Sequence, residues 1–598
     1  MTLRLLRIDL NSQFSKPDLL PGFVEEKYLG ARGAATWLLA SYVDAYTGPR
    51  SAANVVIFSA GPLSGVEPIA GGGFTVTTRS SLTGLPSHAW AIGRWGACLR
   101  RAGIELLLLE GQSVEWCYIQ INNDVVSFHS AQDLLGLDTQ ATATALEQQL
   151  GKEYAVVCLG PAGEAGVAYS SIVAEGLYPA APAGAGAVMA HKRVKAIAVR
   201  GTASLSIVNK ARIEQISASI KGRLATSELA TGIRQYGGSL YYADAALKAG
   251  AMSTRNGQDG SFPHAKSIDR DNIAGRGKRV PQGCEGCPLP CASSYIRRNG
   301  TFMAYPELEA WAGFGAACAV TNPDTIIMAN DMCVRLGLDV NSTAAALAFL
   351  MECTQEGLAR NVNITWGDND AFLAAIKRLG ERQERRDILS LGAGEMQDVY
   401  YGSGSFAPQV KGMALPALDA RALPEMALSY ATAPIGSDYR YAMDYASLIS
   451  EIPDWLPEGQ SQAWRDPISR LIWHERFTAA LDSSGLCRRL GVMAYQIAPA
   501  EVAELITAAL GRPFGGAELA RLGERIVTFE RILARFYEPT TDTLPQRWLK
   551  MPLAEGPAAG QLPQLEELLL EYYRRHGWDQ NGDPTPDRLA ELEIDPLQ

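Results

Sequence analysis

The stretch GCEGCPLPCASSY, residues 283–295, places Cys284, Cys287 and Cys291 within eight positions in C-x2-C-x3-C spacing. The surrounding segment 254–292 is rich in glycine and proline and interrupts the helical pattern on both sides, so the three thiols sit on irregular backbone. Thiols this close in a reducing compartment ligate zinc or an iron–sulfur cluster more often than they fill a core. A structural zinc site offers a second C-x2-C or an H-x3-H pair, and none exists here; His264 and His474 stand alone. A [4Fe–4S] cluster takes three cysteines from one loop and a fourth from far away. Cys487, in LDSSGLCRRLG, is flanked by Gly485 and two arginines in a short polar turn and is the candidate fourth ligand. Spacing therefore favours a cluster, with zinc and plain structural thiols as the alternatives. The cysteines at 98, 117, 158, 318, 333 and 353 lie singly among apolar residues and are assigned to the core.

At 598 residues, with 47% apolar and 20% charged side chains, the chain is long enough for several domains and a large core. A formal charge of −10 and the lack of a basic run argue against nucleic acid as a partner. MTLRLLRIDLNS is broken by Arg4, Arg7 and Asp9, which fits neither a signal peptide nor a membrane span. No window approaches 18 consecutive apolar residues. A soluble, cytoplasmic protein is expected.

Composition changes twice along the chain. NVVIFSAGPL, IELLLLEG, WCYIQINN, YAVVCLGPAG and KAIAVRG read as strands. Later stretches such as TIIMANDMCVRLG, STAAALAFLMECTQEG and AAIKRLGERQER repeat their apolar residues at helical spacing. PQLEELLLEYYRRHGW reads as a helix with acids early, bases late and glycine past its end. The expected class is α+β: a β-rich base over 1–205, a helical domain over 206–410 carrying the cysteine triplet, and a helical domain over 411–598 carrying the DSSGLC turn. The G-x-G at Gly184 and Gly186 precedes a strand instead of following one, so close packing or a tight turn explains it better than a nucleotide.

The order and spacing of many short stretches together resemble the aldehyde:ferredoxin oxidoreductase family. They are LGARGAATWLL (29–39), FSAGPLSG (58–65), TRSSLTG (78–84), LGPAGEAGVAYSSI (159–172), GAGAVMAHKRVKAIAVRG (184–201), the cysteine triplet, YPELEAWAGFG (305–315), MCVRLGLDV (332–340), LSYATAP (428–434), DSSGLC (482–487) and DTLPQRWL (542–549). The resemblance implies a β-sheet base under two helical domains, with a tungsten (or molybdenum) bis-pterin beside a [4Fe–4S] cluster. It implies Cys284, Cys287, Cys291 and Cys487 as cluster ligands. It implies Glu309 as a proton-handling group near the metal. Asp482, Gly485 and Leu486 match one pterin-binding turn, and Gly337, Leu338 and Asp339 match the other.

Several positions depart from the family pattern. Val334 replaces the leading aspartate of the first pterin turn, which forfeits a charge-assisted hydrogen bond of order 1.5–3 kcal/mol. Gly73, Trp90, Tyr178, Pro182, Ile435 and Tyr439 stand where the family has cofactor-contacting arginines, an asparagine and a histidine. Arg94, Arg440 and Lys192 are near enough in sequence to be considered as replacement cations. Two readings follow. The chain oxidises an aldehyde or related oxo substrate and passes electrons through the cluster to a ferredoxin-type acceptor. Alternatively it is a paralogue without the pterin cofactor, an electron-transfer or scaffolding subunit of a larger redox complex, with bulky side chains such as Trp90 or Tyr439 filling the cavity. Either reading implies a ferredoxin or polyferredoxin-type partner, with an intact family member as a further one, and an oligomeric assembly.

Overall fold

The computed structural model describes residues 3–67, 69, 73–360, 362–381, 387–449, 452–456 and 461–595. Its N-terminal part is built on two six-stranded sheets. The first contains β1 (Arg4–Asp9), β2 (Phe14–Leu19), β3 (Val56–Ser59), β4 (Phe74–Arg79), β5 (Pro86–Ala91) and β6 (Leu106–Glu110), in the order β2-β1-β6-β3-β4-β5. The second contains β7 (Cys117–Asn122), β8 (Val125–Ser130), β9 (Ala155–Leu159), β10 (Ile172–Ala174), β11 (Tyr178–Ala180) and β12 (Val194–Arg200), in the order β11-β10-β9-β12-β7-β8. Both sheets are mixed: β1 pairs parallel to β6 and β12 parallel to β7, while the other pairs are antiparallel.

The apolar runs explain the layering. Successive side chains on a strand point to opposite faces, so an uninterrupted apolar strand must be covered on both. In β6, Leu107 and Leu109 enter the core shared by the two sheets, together with Phe58, Phe74, Val157, Leu159, Ile197 and Val199. Leu106 and Leu108 face the other way, into the core formed with the helices Ala31–Tyr42 and Gly516–Tyr537. In β9 and β12, Val156, Cys158, Ala196 and Ala198 turn outward under Ala143 and Leu146 of the helix Thr139–Leu150. The six cysteines assigned to the core are all buried.

After residue 205 the chain is mostly helical, so the fold is α+β as expected. The helices end where capping chemistry places their ends. Pro323–Leu336 starts after Asn322, Val340–Gln355 after Asp339 and Pro467–Ser484 after Asp466, and each of these side chains accepts a main-chain N–H. Leu565–His576 has Glu566 and Glu567 in its first turn, Arg574 and Arg575 in its last, and Gly577 beyond it at positive φ. Among the described residues no helix is long and apolar enough to cross a membrane.

One element was not expected. A three-stranded antiparallel sheet, β13 (Lys278–Gln282), β14 (Ala292–Ile296) and β15 (Phe302–Ala304), lies within and just after the segment read as irregular. Its first strand, KRVPQ, is short, charged and carries Pro281, all of which conceal an edge strand. The cysteine loop itself, residues 283–291, is irregular and connects β13 to β14.

Candidate functional site

A cavity of about 160 Å³ opens where the sheet base meets the helices. The base supplies Trp90 and Ala91 at the end of β5 and Tyr178 and Pro179 from β11. The helical part supplies Tyr305, Glu307, Glu309, Asn330, Val334, Leu338, Asp339, Arg440, Tyr445, Arg488 and Arg489. Two polar turns bring the helix ends here, and glycine is obligatory in both. Gly485 has φ of +83°, and a Cβ on it would stand 2.3 Å from Ser64 Oγ, while a Cβ on Gly61 would stand 2.3 Å from the Gly485 nitrogen. Gly337, at φ +72°, docks in the same way on Gly160, where a Cβ would meet Leu336 carbon at 2.3 Å. Each turn is thus laid backbone to backbone on a loop of the base, and Leu63 N–H donates to the Ser484 carbonyl at 2.8 Å.

Cys487 follows the Gly485 turn and faces the triplet. All ten cysteines are unpaired, and Cys284, Cys287 and Cys487 are half-buried. The four thiols sense one another electrostatically. Burial and then Cys291 push the Cys487 thiol up to about 11, and burial and then Cys487 raise both Cys284 and Cys287. Main-chain N–H groups of Gly93, Leu289 and Leu490 are directed at Cys284, Cys287 and Cys487. Arg489 Nη1 lies 3.8 Å from Cys291 Sγ and donates to Glu307 Oε1 at 2.9 Å. Among the described residues, no three His, Cys, Asp or Glu side chains converge as ligands of a single ion.

Glu309 borders the cavity. Its Oε1 accepts from Tyr439 at 2.6 Å and its Oε2 from Ser239 at 3.3 Å, and Ser239 also donates to Glu307 at 2.9 Å. Burial, reinforced by Glu307, raises the Glu309 carboxyl above the usual range, against the pull of Arg440. Tyr439 is fully buried against Tyr430 and Tyr445 and does not line the cavity. The residues matched to the pterin turns already have partners. Asp339 Oδ2 accepts from Ser342 N–H at 2.9 Å and Oγ at 2.7 Å, capping its helix, while Arg440 lies 3.4 Å from Oδ1. Asp482 accepts from Arg488 Nε at 2.9 Å and from Arg32 Nη1 at 3.1 Å. The Arg488 guanidinium lies over the half-buried ring of Trp90, 4.9 Å from its centre. A Cβ on Gly73 would stand 3.4 Å from Trp90 Nε1, in ordinary van der Waals contact.

Of the cations considered as replacements, only Arg440 reaches the cavity, and Asp438 holds it through a bidentate pair. Arg94 turns to Glu147 and the Tyr154 carbonyl, and Lys192 to the carbonyls of Ala52 and Gly111. Nearness in sequence misled here. The charged residues found at the cavity and the turn, Arg32, Arg488, Arg489 and Glu307, carry no spacing signal; only the DSSGLCRRLG turn hinted at two of the arginines.

Behind Asp482 lies a buried ionic cluster. Arg32 meets Glu530 in a bidentate pair at 2.8 and 2.7 Å, and Tyr441 donates to Glu530 at 2.6 Å. His88 Nε2 is 3.1 Å from the same carboxylate. Burial opposes ionisation of Glu530, but Arg32 and His88 outweigh it and hold the group near 2. Burial depresses His88 from 6.5 to about 4 despite Glu530. The sign of the resulting pH dependence is definite. Below pH 6.5 the unfolded chain protonates this imidazole and the folded one does not, so stability is complete above 6.5 and falls as pH drops toward 4. From pH 6.5 to 5 this amounts to about 2 kcal/mol. Denaturation midpoints of wild type and His88→Asn should therefore converge as pH is lowered over that interval. Parallel pH profiles would show that His88 is charged in the fold.

Residues 5–201 match the family described as aldehyde ferredoxin oxidoreductase, N-terminal domain, and residues 215–594 match aldehyde ferredoxin oxidoreductase, domains 2 and 3. The chain is 30% identical to a tungsten-containing aldehyde ferredoxin oxidoreductase of Pyrococcus furiosus, over 99% of its own length and 98% of the relative's. It is equally similar to the protein of the same name from Thermococcus kodakarensis, with the same coverage. A more distant relative, 23% identical over 99% of this chain and 96% of its own, is the aliphatic sulfonate oxidoreductase, WOR-like subunit, of P. furiosus. The fold is also that of the active site complex BamBC of benzoyl coenzyme A reductase, with a TM-score of 0.84 at 20% identity, covering 99% of this chain and 98% of that one. Matched along nearly its whole length, the chain belongs to the aldehyde ferredoxin oxidoreductase family.

Proposed function

We propose that this chain is an iron–sulfur electron-transfer subunit of its family, in which Cys284, Cys287, Cys291 and Cys487 hold a [4Fe–4S] cluster and no tungsten–pterin is bound. The observation that carries the second half is the state of Asp482. A carboxylate offered to pterin N–H groups must face the cavity, whereas Asp482 is buried away from its lining and accepts three hydrogen bonds, one from Arg32 and two from Arg488. Arg488 in turn is stacked on Trp90, at the position of the family's asparagine near the pterin phosphates. Asp339 is committed to its own helix and to Arg440. The space is small as well. About 160 Å³ falls below the ~300–1,000 Å³ that pockets for drug-sized ligands occupy, and a bis-pterin is larger than those. The residues present do not fit that cofactor.

They do fit a cluster. Four unpaired thiols from two distant segments, each disfavoured as a lone thiolate by burial, gain a counter-charge when iron binds. The N–H groups directed at them are the kind of donor that tunes cluster potential. When bound, the cluster supplies one-electron transfer. The protein's part is to shield it from water and direct Arg489 at Cys291. A ferredoxin or polyferredoxin-type carrier in the cytoplasm is the partner we infer. An intact family member is a second, since one relative is named as a subunit and the structural neighbour is a complex.

A second reading is favoured by Glu309. A carboxyl whose pKa burial raises beside a cavity is suited to acid–base work, and the 30%-identical relatives are named tungsten-containing enzymes. Under that reading the chain oxidises an aldehyde with a rearranged cradle. Metal analysis of protein purified without oxygen separates the two. About four irons per chain without tungsten or molybdenum are expected, with visible absorbance that bleaches on reduction. Stoichiometric tungsten or molybdenum would establish the second reading, and zinc alone would overturn both.

A further inference from the structure

The segment containing the cysteine loop has a charge unlike the rest of the protein. Residues 276–298 hold Arg276, Lys278, Arg279, Arg297 and Arg298 against a single acid, Glu285, in a chain whose formal charge is −10. Glu285 is taken up by Arg101 of the base, 2.9 Å away. Asp324 faces two of the cations, Arg297 at 2.9 Å and Arg276 at 3.4 Å. Arg279 is held by Ser293 Oγ at 2.6 Å. Lys278 and Arg298 are exposed and form no ion pair with a described residue. They therefore project uncompensated charge.

The geometry ties this charge to the cysteines. Lys278 lies opposite Ile296 at one end of the β13–β14 pair, and Gln282 opposite Ala292 at the other, where the loop begins. Four residues of strand span about 13 Å. In the loop, Gly283 and Gly286 are exposed, and Cys284 and Cys287 are half-buried. A partner seated over the loop with about 800 Å² of its surface therefore also covers the hairpin and its cations.

We propose that the β13–β14 hairpin is the docking surface for an acidic electron-carrier protein, with Lys278 and Arg298 steering it onto the cysteine loop. This rests on the cluster reading above. In each transfer the reduced cluster gives up one electron and the carrier's centre accepts one, with no proton or further reactant required. Complementary charge acts mainly on encounter, raising association rates by about 10-fold or more at low salt and losing that effect as salt screens it. The same field slows encounter with basic carriers at this surface.

The test uses the full-length protein purified without oxygen, with its cluster content measured first. Stopped-flow mixing of the reduced protein with an acidic two-cluster ferredoxin gives the second-order rate of electron transfer at increasing sodium chloride. The wild-type rate is expected to fall steeply with salt. Lys278→Glu/Arg298→Glu should lower it about 10-fold or more at low salt and flatten the salt dependence, leaving cluster content and spectrum unchanged. Cytochrome c, a basic acceptor, should show the opposite trend in the variant. Equal rates in wild type and variant, or a wild-type rate indifferent to salt, would overturn the docking surface. Protein isolated without a cluster would overturn the proposed function instead, before any carrier is added.

Discussion

Replacing Arg32 by methionine is expected to destabilise the protein by about 3–5 kcal/mol, the cost of stripping one partner from a buried ion pair. Arg32 is 1% exposed, and its two carboxylate partners, Glu530 and Asp482, are as deeply buried. Without the guanidinium, Glu530 keeps Tyr441, the Thr36 hydroxyl at 3.5 Å and a histidine that burial holds neutral, and Asp482 keeps only Arg488. Charge loss alone does not set the magnitude. Glu530→Gln removes the other half of the pair, so Arg32→Met/Glu530→Gln should cost less than the sum of the two single changes by about 1–3 kcal/mol. Urea midpoints measured near pH 7 give the cycle. An Arg32→Met loss under about 1 kcal/mol, the value of an exposed pair, would mean that water reaches this cluster. The network has a functional side. Arg32 stands on a helix of the base and Glu530 on a helix 498 positions later, and through Asp482 they fix the turn that presents Cys487.

That network also marks the limit of what was legible in the sequence. Local patterns were readable because one element decides them. The alternate leucines of β6 demand cover on both faces, and the acids, bases and glycine of Leu565–His576 mark its two ends. The cysteine triplet stood out by its spacing and Cys487, the candidate fourth ligand, by its glycine turn, and the fold brings the two segments together. Arg32 was invisible because its meaning depends on partners hundreds of residues away, and LGARGAATWLL looks like any helix start. Arg94 and Lys192 failed for the converse reason. Each is close in sequence to the cavity wall, yet Arg94 is drawn to Glu147 and Lys192 to carbonyls of the base. The β13–β15 sheet was missed because short charged strands bearing proline lack the alternation that identifies a half-buried strand. Val334 was noticed as a missing aspartate, but its surroundings, an apolar contact with Val173 and Ala304, follow only from the fold.

Cys487→Ala separates a ligand from a core thiol, and on the cluster reading it has the largest consequence of any single change. Cys487 and Cys291 are 196 positions apart, and a cross-link closing a loop of roughly 200 residues stabilises by about 5 kcal/mol in the chain-entropy treatment. The variant should lose most of its iron and its visible absorbance, and the 283–291 loop should become sensitive to protease. The helix end itself should stay in place, because Gly485 is still laid against Gly61 and Leu63 still bonds Ser484. Far-ultraviolet circular dichroism should therefore change little. Cys333→Ala is the control. That thiol is fully buried beside the first turn, with no part in the triplet, and its removal should cost only about 1 kcal/mol of packing with full iron retained. Iron loss from Cys333→Ala, or wild-type iron and absorbance in Cys487→Ala, would remove the fourth ligand. The link between the two distant segments would then rest on protein packing alone.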